Sequence, residues 1–313
     1  FELEHDYRLK LAELAKFLKQ PARYFFQRRL GVWFADAAAL GQDEEPFALD
    51  ALERYFLEDS LLDDGGPPEA IAEVRAGLAV RAERLGREGV LPIGLIGRQW
   101  QQQLIEGLVP VRSAWLTLCA RFQAPAPKLP IALRFGDIEL DDWIDRLRTA
   151  GDETAWLMQI SSKVLDKKGG ARGDKLIAPW LRQLAVAAAG QRVSGYLVAR
   201  DAIVAFAPLD ADAARATLAG LVALWRQNLD QPLPVACKTA LALLRGGDPR
   251  ATYDGGFELS GEVDDLCLAR LWPDFAALTA GGAWLASAEA LYGPLAAWLD
   301  QHVAIAPLDK EPE

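Results

Sequence analysis

The stretch ETAWLMQISSK (153–163) decides the fold prediction for this chain. Residues 156–158 and Ile160 are apolar, a Gly-Asp turn precedes the stretch, and Lys-Lys-Gly-Gly follows soon after it. Short apolar runs between turn residues are typical of buried β-strands. We therefore predict a buried strand here and assign the other elements around it.

Helices and further strands follow from the spacing of apolar residues. Helices are predicted over 9–30 with a break at Pro21, and over 47–63, 70–89, 96–106, 111–122, 174–189, 211–231, 264–279 and 286–302. Strands are predicted within 131–147, 156–162 and 193–209, the last folding back at 200–201. This order predicts an α+β fold with α/β-like features, built on a small mixed sheet. At APAPKLP (124–130) we divide the chain into a helical portion (1–127) and a sheet-and-helix core (128–313).

Composition is that of a globular protein. The chain has 313 residues, 51% hydrophobic and 25% charged, and no run of about 18 apolar residues that could span a membrane. It begins FELEHDYRLK, with neither an initial Met nor a signal peptide, so we expect a piece of a longer protein. The cysteines Cys119, Cys237 and Cys267 are far apart, which favours buried thiols in the cytoplasm. With only His5 and His302 beside them, we predict no zinc, no iron–sulfur cluster and no other cofactor.

Charge is unevenly distributed along the chain. The net charge of −10 argues against a nonspecific nucleic-acid coat protein. Residues 36–69 carry eleven acidic and one basic residue, whereas 7–34 carry seven basic and one acidic. This segregation allows a local anion-binding face in spite of the acidic total. Ten tryptophans suit an interaction subunit, although we expect most of them, including Trp143, Trp156 and Trp180, in the core.

Several catalytic motifs are absent from the sequence. There is no Gly-Lys pair and hence no Walker A loop, and neither G-x-S-x-G nor H-E-x-x-H occurs. ATP hydrolysis is therefore not predicted. The glycine-rich GGARGDK (169–175) is a weak phosphate loop, and we predict a solvated turn before a helix.

The order of elements around the opening stretch resembles the PD-(D/E)XK nuclease fold. Asp145 ends a predicted strand, the strand 156–162 follows, and the next helix carries Gln183, a residue type that completes the site in helicase-linked nucleases. Such nucleases hold Mg²⁺ with two carboxylates and orient the attacking water with a lysine two residues after the second. Here Met158 and Ile160 stand at those two positions, and neither can do this chemistry. The resemblance therefore implies an inactive site.

Three alternatives stay open. Asp145 could be an ordinary carboxylate paired with Arg146 or Arg148. The chain could be an active metal-dependent exonuclease whose ligands have moved, for instance to Asp152 and Glu153. It could also be an unrelated helical interaction module, in which case it would lack a sheet.

Six phrases in order resemble the C-terminal region of the RecC family, the gamma subunits of exodeoxyribonuclease V. They are FLKQPARYFFQRRLGV (17–32), EEPFALDALERY (44–55), LPIGLIGRQWQQQL (91–104), PWLRQLAVAAAG (179–190), LVALWRQNLDQPLPV (221–235) and ARLWPDF (269–275). The resemblance implies a nuclease-like domain without nuclease activity, which holds a RecB-type helicase–nuclease and a RecD-type helicase together and guides or splits duplex DNA. Chi recognition is not assigned to it. Gln20 stands where related AddB-type nucleases carry a cluster-binding cysteine, consistent with no cluster here.

Two basic segments are candidate DNA contacts. The first comprises Arg23, Arg28 and Arg29, interleaved with the aromatic residues 24–26, a pattern that suits phosphate contact and base stacking. Its alternative is a buried aromatic face with arginines paired to acids such as those at 43–45. The second candidate surrounds the vacated site and consists of Lys163, Lys167, Lys168, Arg172 and Lys175.

Overall fold

The computed structural model describes residues 7–34, 51–62, 70–91, 94–256 and 259–309. Within these residues the strands are β1 (Tyr7–Leu9), β2 (Ala124–Pro125), β3 (Leu129–Phe135), β4 (Ile138–Ile144), β5 (Leu147–Ala150), β6 (Glu153–Gln159), β7 (Ser194–Val198), β8 (Ile203–Phe206) and β9 (Val303–Ala306). The helices are α1 (Leu11–Lys19), α2 (Pro21–Arg29), α3 (Ala51–Leu62), α4 (Val74–Arg87), α5 (Leu95–Arg121), α6 (Gly173–Ala188), α7 (Ala211–Asp230), α8 (Cys237–Leu244), α9 (Pro249–Asp254), α10 (Leu266–Leu271), α11 (Phe275–Thr279) and α12 (Trp284–Gln301). The predicted α+β class is confirmed, and the sheets exclude the purely helical alternative.

The strands form two sheets. A six-stranded sheet has the order β2-β5-β6-β7-β8-β9, and a three-stranded sheet has the order β1-β4-β3. In the larger sheet β6 and β7 are parallel, while the other neighbours are antiparallel. A parallel pair needs a crossover connection, and α6 supplies it between β6 and β7. The opening stretch is thus an inner strand, and the predicted turn at 200–201 does join β7 to β8.

Helices cover both faces of β6, which explains its almost continuous apolar sequence. Trp156 belongs to a buried cluster that also includes side chains of α1, α6, α7 and α12. Its neighbours Ala155 and Leu157 face the opposite way, into a second cluster built mainly on α3, α4 and α5. A glycine is required at Gly195 on β7, because a Cβ there would lie 2.2 Å from the Trp156 ring. The indole therefore lies directly against the neighbouring strand.

The N-terminal elements pack with the larger cluster. β1 pairs with β4, and Leu14, Phe17 and Leu18 of α1 are buried with residues of α6 and α7. The second cluster draws instead on residues between 57 and 122, together with β6, β7 and β8. The division at residue 127 stays a prediction, since packing alone does not define separately folding units.

Two sequence predictions about elements and one about burial are wrong. The helices predicted over 96–106 and 111–122 are one helix, α5, with Pro110 inside it. Proline removes one backbone hydrogen bond, but buried contacts of Leu108 and Val111 on either side of it hold the helix together. The helix predicted over 264–279 is divided into α10 and α11, and Asp265 and Asp274 cap their N-termini.

The third wrong prediction concerns Trp143. Trp156 and Trp180 are buried as expected, whereas Trp143 is 57% exposed. Side chains alternate along a strand, and on β4 it is the neighbouring Ile144 that faces the core. No described helix has the length and hydropathy needed to span a bilayer.

Candidate functional site

Asp145 lies at the corner between β4 and β5, and Met158 lies on the neighbouring strand β6, with Ile160 just after it. Leu147 pairs with Trp156, and the Leu157 N–H donates to the Arg146 carbonyl oxygen at 3.0 Å. Asp145 and Met158 would be the next facing positions, but the ladder ends at Leu147 and the backbone turns at Arg146, which has φ of +55°. Met158 and Ile160 lie on the same face of the strand as Trp156, half-buried against the larger cluster. That the three positions form one site stays a prediction.

Arg182 of α6 is the partner of Asp145. Its Nη2 donates to Asp145 Oδ1 at 2.7 Å and also to the Asp145 carbonyl oxygen. Its guanidinium lies over the Trp156 ring, with the Cζ 5.3 Å from the ring centroid. Partial burial alone would raise the pKa of Asp145, but the hydrogen bond and charge of Arg182, helped by Arg146, bring it below its ordinary value. Asp145 is therefore held in its charged form.

The predicted alternative pairing of Asp145 with Arg148 is wrong. Arg148 donates from Nε to the Phe122 carbonyl oxygen at 2.6 Å and from Nη2 to that of Gln123 at 2.7 Å. Arg182 was missed because it lies 37 residues away in sequence. Its position directly before Gln183 was the only signal that could have indicated it.

Gln183 of α6 hydrogen-bonds three separate segments in the interior of the protein. Its Oε1 accepts from Trp156 Nε1 at 2.9 Å, and its Nε2 donates to the carbonyl oxygens of Val193 and Ala207 at 2.6 and 3.0 Å. Both ends of the amide are thus used within the fold. The side chain could reach a ligand only by giving up these buried hydrogen bonds.

The residues at this corner do not fit a magnesium ion. Mg²⁺ takes hard oxygen ligands, and Met158 and Ile160 supply none. Glu153 lies five positions before Met158, roughly 16 Å away at the rise of a strand, and its carboxylate faces Arg121 at 3.4 Å. Among the residues that the structure describes, no three His, Cys, Asp or Glu side chains are grouped as a metal site.

The cysteines are buried separately, as expected for structural thiols. Burial raises the pKa of Cys119 and of Cys267 to about 11, so both are protonated and unreactive at neutral pH. Gln20 lies near Asp265, with 3.4 Å between its Nε2 and the carboxylate.

In the first basic segment the arginines are paired and the aromatic rings are buried. Arg23 pairs with Asp265 at 2.9 Å, and Arg28 with Glu13 at 3.1 Å. Tyr24, Phe25 and Phe26 are buried, so they are not available for base stacking. These rings form the buried face that the alternative predicted. Arg23 and Arg28 are paired with acids, as that alternative also predicted, but the acids are Asp265 and Glu13. The acids at 43–45, the expected partners, lie outside the described residues.

The second basic segment is more open. It occupies the connection between β6 and α6 and the first turn of α6. Lys163, Lys167, Lys168 and Lys175 are exposed and form no salt bridge with the residues described, although the charge of Lys168 helps to lower the pKa of Asp166. Arg172 differs, since it pairs with Asp174 at 2.9 Å. We call these four lysines the lysine turn.

The local acids are already engaged with the backbone. Asp166 accepts from the amides of Lys168 and Gly170 at 2.8 and 2.9 Å, and these bonds lower its pKa. Asp201 accepts from the amides of residues 164 and 165 at 2.9 and 3.0 Å. These bonds fix the shape of the connection and leave the lysines facing solvent.

A cleft of about 500 Å³ joins the two basic segments, because Arg23 and Lys175 both line it. Lys19 and Lys238, which sequence reasoning missed, add to its basic lining, but four acids balance these charges: Asp174, Glu262, Asp264 and Asp265. Glu262 accepts from the backbone amides of residues 238 and 239 at the start of α8, at 2.9 and 2.7 Å. The lysine turn is therefore a positively charged surface, whereas the cleft beside it is close to neutral.

Comparison with known proteins agrees with the resemblance in the sequence. Residues 6–248 match the family model of the RecC C-terminal domain. The chain is 28% identical over 294 residues to the RecBCD enzyme subunit RecC of Escherichia coli (strain K12), a match that covers 84% of this chain. It spans 23% of the length of that relative. The chain belongs to the RecC C-terminal domain family.

Proposed function

We propose that the chain is the non-catalytic C-terminal part of a RecC-type subunit of exodeoxyribonuclease V. In this role it would join a RecB-type helicase–nuclease and a RecD-type helicase, and guide or split duplex DNA during repair of double-strand breaks by homologous recombination in the cytoplasm. Membership of the RecC C-terminal domain family supports the assignment. The whole complex would hydrolyse ATP and cut DNA through its other subunits.

The observation that carries the non-catalytic part is the chemistry at Asp145. One carboxylate is engaged by Arg182, and Met158 and Ile160 stand at the other two positions. Activating a water against a phosphodiester requires a metal or a general base, together with groups that stabilise the developing negative charge. An arginine-bound carboxylate beside a thioether and an alkyl side chain offers neither.

The topology supports a PD-(D/E)XK-like ancestry for this region. An antiparallel pair, β5 and β6, is followed by α6 and by β7, which is parallel to β6. Asp145 before β5 and Met158 on β6 then take the places of the two carboxylates. Gln183 on α6 has been retained as a buried cross-link.

We assign DNA contact to the lysine turn rather than to the first basic segment. Its four exposed ammonium groups form no salt bridge in the part of the chain that the structure describes, and each can neutralise a phosphate and release a counterion. No aromatic residue is interleaved with them in the sequence, so the contact is to the backbone of DNA and not to its bases.

Exposed apolar side chains suit the scaffolding role. Trp33 is 72% and Leu95 78% exposed, and Trp143 lies on the open face of β4. Exposed apolar residues that form a contiguous patch mark protein–protein interaction sites. We assign the helical portion 1–127 and the core 128–313 to contacts with the rest of the subunit and with its partners.

The nuclease question is tested by incubating the chain with linear duplex and single-stranded DNA and Mg²⁺. We expect no products above a buffer control, and the same result for Asp145→Ala. Cleavage that depends on Mg²⁺ and is lost in Asp145→Ala would overturn the non-catalytic assignment.

The partner question is tested by coelution with RecB-type and RecD-type subunits on size exclusion. Binding to at least one of them is expected. Failure to bind either, with the chain shown to be folded by circular dichroism, would overturn the scaffolding role.

A further inference from the structure

We infer that Arg182 is a built-in replacement for the divalent cation, a guanidinium that occupies the position beside Asp145 where a metal would have to bind. The inference rests on the nuclease-like interpretation of the corner in the proposed function. The proposed function requires only that the metal ligands are missing. The inference adds that the guanidinium of Arg182 occupies the position of the cation.

The contacts of the guanidinium are those that a hard metal would make. A single nitrogen, Nη2, bonds both the carboxylate and the main-chain carbonyl oxygen of Asp145. Carboxylate and carbonyl oxygens are the ligands that Mg²⁺ and Ca²⁺ prefer in proteins. Of the oxygens that Asp145 could offer a cation, Oδ1 and the carbonyl oxygen are therefore already engaged by Arg182.

The guanidinium is held firmly in this place. The Arg182 side chain is only 14% exposed, it lies over the Trp156 ring, and that indole is tied to Gln183. A metal ion approaching the remaining carboxylate oxygen of Asp145 would meet the repulsion of this charge at short range. Supplying a second carboxylate at position 158 would not by itself create a metal site.

The backbone at the corner is consistent with a retained site geometry. Arg146, directly after Asp145, has φ of +55°, a left-handed conformation that side chains other than glycine seldom adopt. Such conformations persist only where the surroundings enforce them. The bonds from Arg182 to both groups of Asp145 are an enforcing contact of this kind.

A carboxylate held by a cation and a free carboxylate respond differently when the carboxylate is neutralised. Met158 leaves Asp145 with no second carboxylate to repel it, so a free, half-exposed Asp145 could be neutralised with little change in stability. Here removing the Asp145 charge leaves a mostly buried cation without its partner, which is destabilising. A clear loss of stability therefore distinguishes the two cases.

The first experiment measures urea unfolding of the full chain at pH 7. We expect a lower midpoint for Asp145→Asn, and no change for Asp152→Asn, a matched control on the exposed turn before β6. The double variant Asp145→Asn with Arg182→Met should recover a large part of the loss, because the unpaired charge is gone. A midpoint equal to or above that of the wild-type chain in Asp145→Asn would overturn the inference.

The second experiment titrates Mn²⁺ and follows the free ion by electron paramagnetic resonance. We expect the wild-type chain and Met158→Glu to bind Mn²⁺ with the same weak affinity, and the double variant Met158→Glu with Arg182→Met to bind it at least about tenfold more tightly. Equal Mn²⁺ affinity with and without Arg182 would contradict the inference. Neither readout involves DNA or partner subunits, so failure here is distinguishable from failure of the proposed function.

Discussion

The corner at Asp145 lies between β4 and β5, whereas the lysine turn lies in the connection from β6 to α6 and the first turn of α6, and the charges in these two regions are arranged differently. At the corner the carboxylate and the amide have internal partners: Asp145 has Arg182, and Gln183 joins Trp156 to two backbone carbonyls. In the lysine turn the acids bond backbone amides, and four lysines face solvent. Charges satisfied internally stabilise the fold, whereas charges that face solvent are available to a ligand.

This difference predicts two kinds of effect. The corner is tied into the fold by its internal hydrogen bonds, and substitutions there should act on stability. The neighbouring turn is exposed, and substitutions there should act on binding. Each of the following predictions tests one side of this contrast.

The largest effect is expected for Gln183→Ala. The substitution leaves the Trp156 indole N–H and two carbonyl oxygens without partners in the interior. Each buried polar group left unsatisfied costs about 1–3 kcal/mol, so the free energy of unfolding should fall by about 3 kcal/mol. Urea denaturation measures it, with the exposed Gln191→Ala as the control. A decrease smaller than about 1 kcal/mol would mean that the corner is not an integral part of the core.

A smaller effect, on binding, is expected for charge reversal in the lysine turn. Lys163, Lys167 and Lys168 changed together to Glu should weaken forked-duplex binding by the assembled complex by about tenfold or more, ~1.4 kcal/mol. The slope of log affinity against log salt should become shallower by about one for each phosphate that the variant no longer neutralises. Lys128→Glu, an exposed lysine ahead of β3, is the control. An unchanged salt slope would remove DNA contact from this surface.

A further prediction concerns pH and the corner. Because Arg182 brings the folded-state pKa of Asp145 below its unfolded value, the pair stabilises the fold above the unfolded pKa of about 3.9. That contribution is lost as pH falls through the folded pKa. The difference in unfolding free energy between wild type and Asp145→Asn should therefore be constant from pH 7 to about 5 and shrink below it. A difference that stays constant down to about pH 2 would contradict the ion pair.

The smallest effect is expected for the stability of the lysine-turn variant. Exposed side chains that face solvent contribute little to folding, so the triple Glu variant should unfold within about 0.5 kcal/mol of wild type. Thermal denaturation monitored by circular dichroism measures this. A larger decrease in stability would show that these lysines have a structural role, which would remove the contrast with the corner.

Much of the fold could be predicted because local patterns and tertiary packing agree. The strand in 153–163, the helix over 174–189 and the hairpin at 200–201 were found within a few residues of their observed bounds. Predictions failed where packing overrides local preference. Pro110 argued for a helix end, but buried apolar side chains on both sides keep α5 continuous.

For the candidate site, the sequence alone determined which chemistry is missing. Met158 and Ile160 cannot bind a hard metal in any fold, because a thioether and an alkyl side chain lack oxygen ligands. The sequence likewise carried enough family signal, in six ordered phrases, to indicate the RecC C-terminal domain. Such conclusions depend on residue type and order, which a sequence states directly.

Only the tertiary structure decided which charges are satisfied. Nothing in the sequence distinguishes Arg23, paired with Asp265, from Lys163, which faces solvent, and nothing in it pairs Asp145 with Arg182 across 37 residues. Pairing between charges depends on distances of a few ångströms between residues far apart in the chain. Those distances are set by how α2 packs on α10 and how α6 packs beside the β4–β5 corner, and they exist only once the chain has folded.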